Sequence, residues 1–148
     1  MKILIDADGC PVRKQVTVLA MAYEVPLVII SNVHHDIVSE YGECVMVDGG
    51  SDVADHKIIE LLEEGDLVIT QDYGLAALVL GKKGFAMHQD GWLFTEDNID
   101  SLLARRHLNQ KLRKARKRHP LMKKRKQVDD NHFVKALKVF LDEQRKAV

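Results

Sequence analysis

Four aspartates stand where a metal centre would need them: Asp6 and Asp8 in KILIDADGC, Asp55 in GGSDVADHK and Asp72 in LVITQDYG. Carboxylates gathered without a neighbouring Lys or Arg repel one another, so such a cluster is stable only with protons or cations among its oxygens. Mg²⁺ and Mn²⁺ are the occupants that oxygen donors favour, and they keep waters whose places a substrate phosphate can take. The chemistry open to such a centre is phosphodiester hydrolysis by activated water. The competing reading is structural, because Asp also serves helix N-caps and turns. Asp52, Asp66 and Asp97 are assigned to caps or turns. Asp6 and Asp72 are assigned to the site, since a carboxylate closing a buried parallel strand has no evident structural duty. Asp8 and Asp55 fit either role and complete the shell.

These residues need strand ends to carry them. KILID is a short apolar run closed by DADGCP, where Gly9 and Pro11 punctuate the exit from a strand. Pro11 suits a first helical turn, and Val12, Val16, Leu19, Ala20 and Tyr23 recur at helical spacing behind it. PLVIIS reads as a strand buried on both faces and CVMVD as a weaker one of the same kind. GGSDVADHKIIELLEEGD enters a helix at Asp52 to Asp55, turns Ile58, Ile59, Leu61 and Leu62 inward and stops at Gly65. LVIT, QDYG, LAALVLGK and GFAMH then repeat the strand, turn, helix, strand rhythm. This alternation predicts an α/β fold, three-layer α/β/α, with a central, mainly parallel sheet of about five strands and C-terminal helices. Ligands of such sheets bind beyond the carboxyl ends of the strands, where Asp6 and Asp72 fall. Thr95, with Asn98 three residues on, predicts the N-cap of a further helix. A last amphipathic helix from about Asp130 puts Phe133, Leu137, Phe140 and Leu141 on one side. That side suits the core or a second copy of the chain, which leaves a homo-oligomer open.

The formal net charge of zero conceals two opposed regions. Residues 1–104 hold 6 Lys and Arg against 18 Asp and Glu, and residues 105–148 hold 16 against 4. The chain of 148 residues is expected to form a single domain, with an acidic α/β core over 1–104 and a basic helical extension over 105–148. Between Arg105 and Lys126 there are 6 Arg and 6 Lys and no carboxylate. Such density repels itself unless solvated or matched by a polyanion, and nucleic acid, RNA above all, is the partner expected. Arg105, Arg106, Arg113, Lys114, Arg116, Lys117, Arg118, Lys123 and Lys124 are the candidate phosphate contacts. The alternative use of the segment is a solvated helix against the acidic core. It contains no Phe, Tyr or Trp, so base stacking is not expected there. Tyr73, beside Asp72, could touch a base or sugar, but packing at the sheet edge is the preferred reading.

No apolar run reaches the roughly 20 residues that span a bilayer, and MKILIDADG turns acidic too early for a secretory signal. Two cysteines make no disulfide framework. A cytoplasmic protein with reduced thiols and no membrane partner is expected. Cys10 precedes a helix, whose dipole can lower a thiol pKa, yet without a paired His it reads as a small filler. His34, His35 and Asp36 read as a loop rather than a metal motif.

Two families resemble parts of this pattern. ILIDADGC looks like the first motif of haloacid-dehalogenase-type phosphatases, which would make Asp6 a nucleophile and Asp8 an acid/base. The likeness is local, since Gly65-Asp66 precedes its strand instead of following one. DADGCPV, DVADHKI, GDLVITQDYGLA and FTEDNIDSLL, with the basic helix behind them, resemble the YaiI/YqxD family of bacterial proteins over nearly the whole chain. That family is similar to PIN and NYN domains, nucleases with a parallel sheet and an acidic metal site. The resemblance implies a PIN-like fold and a Mg²⁺- or Mn²⁺-dependent nuclease acting on RNA or single-stranded nucleic acid. Asp6 matches the Asp after strand one, Asp55 the acid opening the middle helix and Asp72 the Asp of Thr-x-Asp. Asp8 belongs to the family's Asp-Ala-Asp. A fourth acid of PIN domains has no matching position, with Asp90, Asp97 and Asn98 nearby. His119-Pro120-Leu121 departs from the family's Gly-Pro-Lys. A non-catalytic nucleic-acid-binding protein of the same fold and the phosphatase are the alternatives.

Overall fold

Short runs rich in Ile, Val and Leu form the strands, and the segments with helical spacing cover them. The computed structural model describes residues 1–32, 39–116 and 124–147. In chain order the elements are β1 (Ile3–Asp6), α1 (Arg13–Ala22), β2 (Leu27–Asn32), β3 (Glu43–Val47), α2 (Ser51–Leu61), β4 (Leu67–Ile69), α3 (Tyr73–Gly81), β5 (Phe85–Met87), β6 (Leu93–Phe94), α4 (Glu96–Arg116) and α5 (Gln127–Lys146). They build one six-stranded sheet in the order β3-β2-β1-β4-β5-β6. The first five strands are parallel, with Ile3 opposite both Leu27 and Leu67, and β6 runs antiparallel to β5.

Alternation along the strands divides the core between the two faces of the sheet. Ile3, Ile5, Ile29 and Ile69 face Val16 and Leu19 of α1 and Phe133, Leu137, Phe140 and Leu141 of α5. Leu4, Val28, Ile30 and Val68 face Ala54 and Ile58 of α2, Leu75 and Val79 of α3 and Ile99 of α4. The result is the three-layer α/β/α arrangement. The apolar side of α5 is committed to this core, and the helix starts at Gln127, earlier than its apolar spacing suggests.

Local departures have local causes. Val12 is the N-cap of α1, so Pro11 stands ahead of the first turn instead of inside it. Gly50 caps α2, while Asp52 lies exposed in the first turn and is not the cap. That helix ends at Leu61, before Gly65, whose φ of +86° serves the turn into β4. β3 is the sheet edge, leaving Glu43, Cys44 and Met46 exposed, so its apolar run is not buried on both faces. β6, at two residues, is too short to leave a periodic signal. The capping pair before α4 is reciprocal, with Asn98 N donating to Thr95 Oγ1 (3.1 Å) and Thr95 N to Asn98 Oδ1 (2.9 Å). α4 runs unbroken across residues 104 and 105, where the charge changes sign. Ile99 is buried and Leu102 and Leu103 are half-buried, but residues 107–112 are exposed. Among the described residues no helix is long and apolar enough to cross a membrane.

The β5–β6 turn lies against α5. Gly91 has φ +90°, and a Cβ there would stand 2.9 Å from His132 Nδ1 and 3.1 Å from Phe133 Cα. Gly91→Ala therefore combines left-handed strain with a backbone collision, and should cost about 2 kcal/mol or more in urea unfolding. Gly50→Ala, where φ is negative and a Cβ meets open space, is the matched control.

Candidate functional site

The strand order sets where a ligand can lie. From β1 the chain moves through α1 to β2 on one side, and from β4 it moves through α3 to β5 on the other. The switch point is therefore the gap between β1 and β4, and the crevice opens beyond their carboxyl ends. Asp6 is the last residue of β1, and Thr70, Gln71 and Asp72 leave β4.

Thr70 joins the two strand ends. It is buried, and its hydroxyl donates to Asp6 Oδ2 (3.0 Å) while accepting from Asp72 N (3.0 Å). Asp72, expected to have no structural duty, is the N-cap of α3, with Oδ1 accepting from Gly74 N (2.8 Å) and Leu75 N (3.2 Å). Asp8 accepts from Asn32 N at 3.1 Å and so ties the exit of β1 to the end of β2. Asn32 Nδ2 in turn donates to Gly49 O, just before α2. Asp6, Asp8, Cys10, Thr70, Gln71 and Gln89 line a cleft of about 10 Å³. That is room for about one water-sized particle.

Asp55 and Asp72 lie outside the cleft lining, but their charges reach into it. Burial raises the Asp6 carboxyl from 3.8 to about 6, with Asp72 and Asp8 pushing the same way and the Thr70 hydrogen bond opposing. Asp55 is likewise raised to about 6, by burial first and then by Asp72, Asp6 and Asp52. Asp6 thus feels the charges of Asp72 and Asp8, and Asp55 those of Asp72 and Asp6. They are not drawn up as ligands: among the described residues no three His, Cys, Asp or Glu side chains are grouped to hold one metal ion.

The other acids have plain duties. Asp66 is buried and receives Lys2 Nζ (2.6 Å), Lys2 N (3.0 Å) and Glu63 N (2.8 Å). Asp97 is exposed in the first turn of α4, and Asp90 accepts from Arg125 Nη1 (2.9 Å). Burial pushes the Cys10 thiol upward, outweighing cationic neighbours, in keeping with a filler. Arg105 and Lys124 are exposed, and Arg106, Arg113, Lys114 and Arg116 belong to α4. Lys117, Arg118, Lys123 and the His119-Pro120-Leu121 departure lie outside the described residues, as do His34, His35 and Asp36.

Three residues escaped the sequence reading. Thr70 was visible only as the Thr of Thr-x-Asp. Gln89 carried no signal. Arg125 is indistinguishable from its basic neighbours in sequence, yet its guanidinium bonds Asp130 Oδ1 (2.6 Å), Asp90 Oδ1 and Gln89 O (2.7 Å), fastening the start of α5 to a turn that borders the cleft.

Fold and site together define a doubly wound α/β domain with an acidic switch-point crevice. The chain belongs to the YaiI/YqxD family: the family profile described as "Uncharacterized BCR, YaiI/YqxD family" matches residues 4–143. It is 46% identical over 143 residues to a UPF0178 protein of Alkaliphilus oremlandii, covering 97% of this chain and 92% of the relative. A UPF0178 protein of Natranaerobius thermophilus is 48% identical over 138 residues, covering 93% and 94%. No solved structure matches the chain.

Proposed function

We propose that this protein is a PIN-like, metal-dependent nuclease that hydrolyses phosphodiester bonds in RNA or single-stranded nucleic acid. The observation that carries the reading is the group of carboxylates around Asp6 at the switch point: burial, then Asp72 and Asp8, raise Asp6 to about 6, and burial, then Asp72, Asp6 and Asp52, raise Asp55 to about 6. A divalent cation relieves that repulsion. All four donors are carboxylates, the oxygen chemistry that Mg²⁺ and Mn²⁺ prefer, and on this reading Asp6 and Asp72 would be the principal ligands, with Asp8 and Asp55 drawn in to complete the shell. When bound, such an ion supplies activated water and offsets charge on the leaving oxygen.

The remaining work falls to the protein. Thr70 orients Asp6 through Oδ2, and the α3 cap holds Asp72 at the mouth of the crevice. Arg and Lys between residues 105 and 124 hold the substrate backbone, with little sequence preference and steep salt dependence. The non-catalytic alternative is favoured by one observation, the lack of a ready three-ligand grouping among the described residues.

Asp72→Asn separates the readings. Asn caps a helix as well as Asp, so the variant keeps α3 while losing the carboxylate charge. Cleavage of labelled RNA in Mg²⁺ or Mn²⁺ should fall by a factor on the order of 10² or more, with salt-sensitive binding retained. Wild-type cleavage rates in this variant would sink the assignment. Binding without cleavage by the wild-type protein under either metal would favour the non-catalytic reading, and turnover of a small phosphomonoester alone would favour the phosphatase.

A further inference from the structure

Among the described residues the cleft has room for an ion or a water but not for a base, and the basic segment carries no Phe, Tyr or Trp. A single strand held here must rest its bases on the rim. The rim carries an ordered group of rings. Tyr73 follows Asp72 directly, and His88 immediately precedes Gln89 of the cleft lining. The His88 and Trp92 rings stack at 4.5 Å with 8° between their planes. Phe94, buried beneath them, meets Trp92 edge-on at 4.6 Å and Tyr73 at 5.7 Å. Tyr73 and Trp92 remain partly exposed.

This group is held rigidly. His88 N donates to Trp92 O (2.9 Å), and Arg125 anchors Gln89 and Asp90, which lie between the two residues in the chain. His88 Nδ1 accepts from Asp90 N (3.1 Å), which places the proton of the neutral ring on Nε2. Burial lowers the His88 pKa, with Arg125 acting the same way and the Asp90 carboxylate, 3.5 Å from Nδ1, opposing. A flat, pre-ordered, amphipathic ring offers stacking area at little entropic cost, and every base has a face to offer in return.

Resting on the nucleic-acid reading above, we infer that Trp92, supported by His88 and Phe94 and flanked by Tyr73, is a stacking site for an unpaired nucleobase of the strand whose phosphodiester lies at the acidic cleft. Trp92 is the sole tryptophan, so its fluorescence reports on this site alone. The test titrates wild-type protein in EDTA with a single-stranded RNA oligonucleotide and with an abasic ribose-phosphate oligomer of equal length. Anisotropy of an end label measures binding independently. The RNA should quench Trp92 and bind roughly tenfold more tightly than the abasic strand. Trp92→Leu should erase that preference while leaving abasic binding unchanged, with circular dichroism confirming its fold. Equal quenching by both strands, or RNA binding without quenching, overturns the stacking site and leaves the nucleic-acid reading standing. Absence of binding to either strand overturns both.

Discussion

Asp6→Asn should move activity and stability in opposite directions. The Asp6 carboxyl is raised from 3.8 to about 6, with burial the leading cause. Between these values the folded state binds more protons than the unfolded chain, so wild-type stability falls as pH rises through this window and stays lower above it. At roughly 1.4 kcal/mol per pH unit, a rise from 3.8 to about 6 makes the penalty at neutral pH about 3 kcal/mol. Asn is neutral, has nearly the same shape and can still accept the Thr70 hydroxyl. In metal-free buffer the variant should therefore unfold at higher denaturant than wild type at pH 7.5, and the advantage should vanish below pH 4. Millimolar Mg²⁺ or Mn²⁺ should stabilise wild type by ligand linkage and narrow the gap. Cleavage should meanwhile drop on the order of 10²-fold or more. A variant less stable than wild type at pH 7.5 would contradict the electrostatic account, whatever its activity.

Phe133→Ala is expected to be the most damaging single change in the core. Phe133 is fully buried on α5, among Leu137, Phe140 and Leu141 against the sheet face of Ile3, Ile5 and Ile69. Emptying the site loses the transfer energy of the ring and leaves a cavity, together about 3–5 kcal/mol. Against a typical domain stability of about 5–15 kcal/mol, that lowers the melting temperature by roughly 10 °C or more. The damage should reach the crevice. α5 begins beside the Arg125 clamp, whose other contacts are Gln89 and Asp90 of the β5–β6 turn. Hydrogen exchange should show faster exchange at Gln89 and Asp90 along with α5. If α5 alone loosens, the coupling drawn through Arg125 is absent. Phe133→Leu should recover most of the stability.

Much of the fold is legible in residues close together in sequence. Helical spacing in Val16, Leu19 and Ala20 and the apolar runs ILI and LVII report their own elements, because burial on one side or on both is written in local periodicity. Thr95 and Asn98 mark a helix start because a cap is made within one turn. β6 left no trace, for two residues cannot display a period. The edge position of β3 was hidden as well, because apolar content does not say how many neighbours a strand has.

The sequence by itself determined that the chain alternates strand and helix, that Asp6 and Asp72 fall at strand exits, and that α5 has an apolar side. Only the tertiary structure decided that β1 and β4 are neighbours at a switch point, since strand order depends on contacts between residues far apart in the chain. It alone revealed the Thr70 bridge to Asp6, which joins residues 64 positions apart. It also engaged Arg125 with carboxylates while leaving Lys124 exposed. Charge and spacing are local properties. Which charge meets which is settled by packing, where desolvation makes an unpaired group costly and a paired one specific.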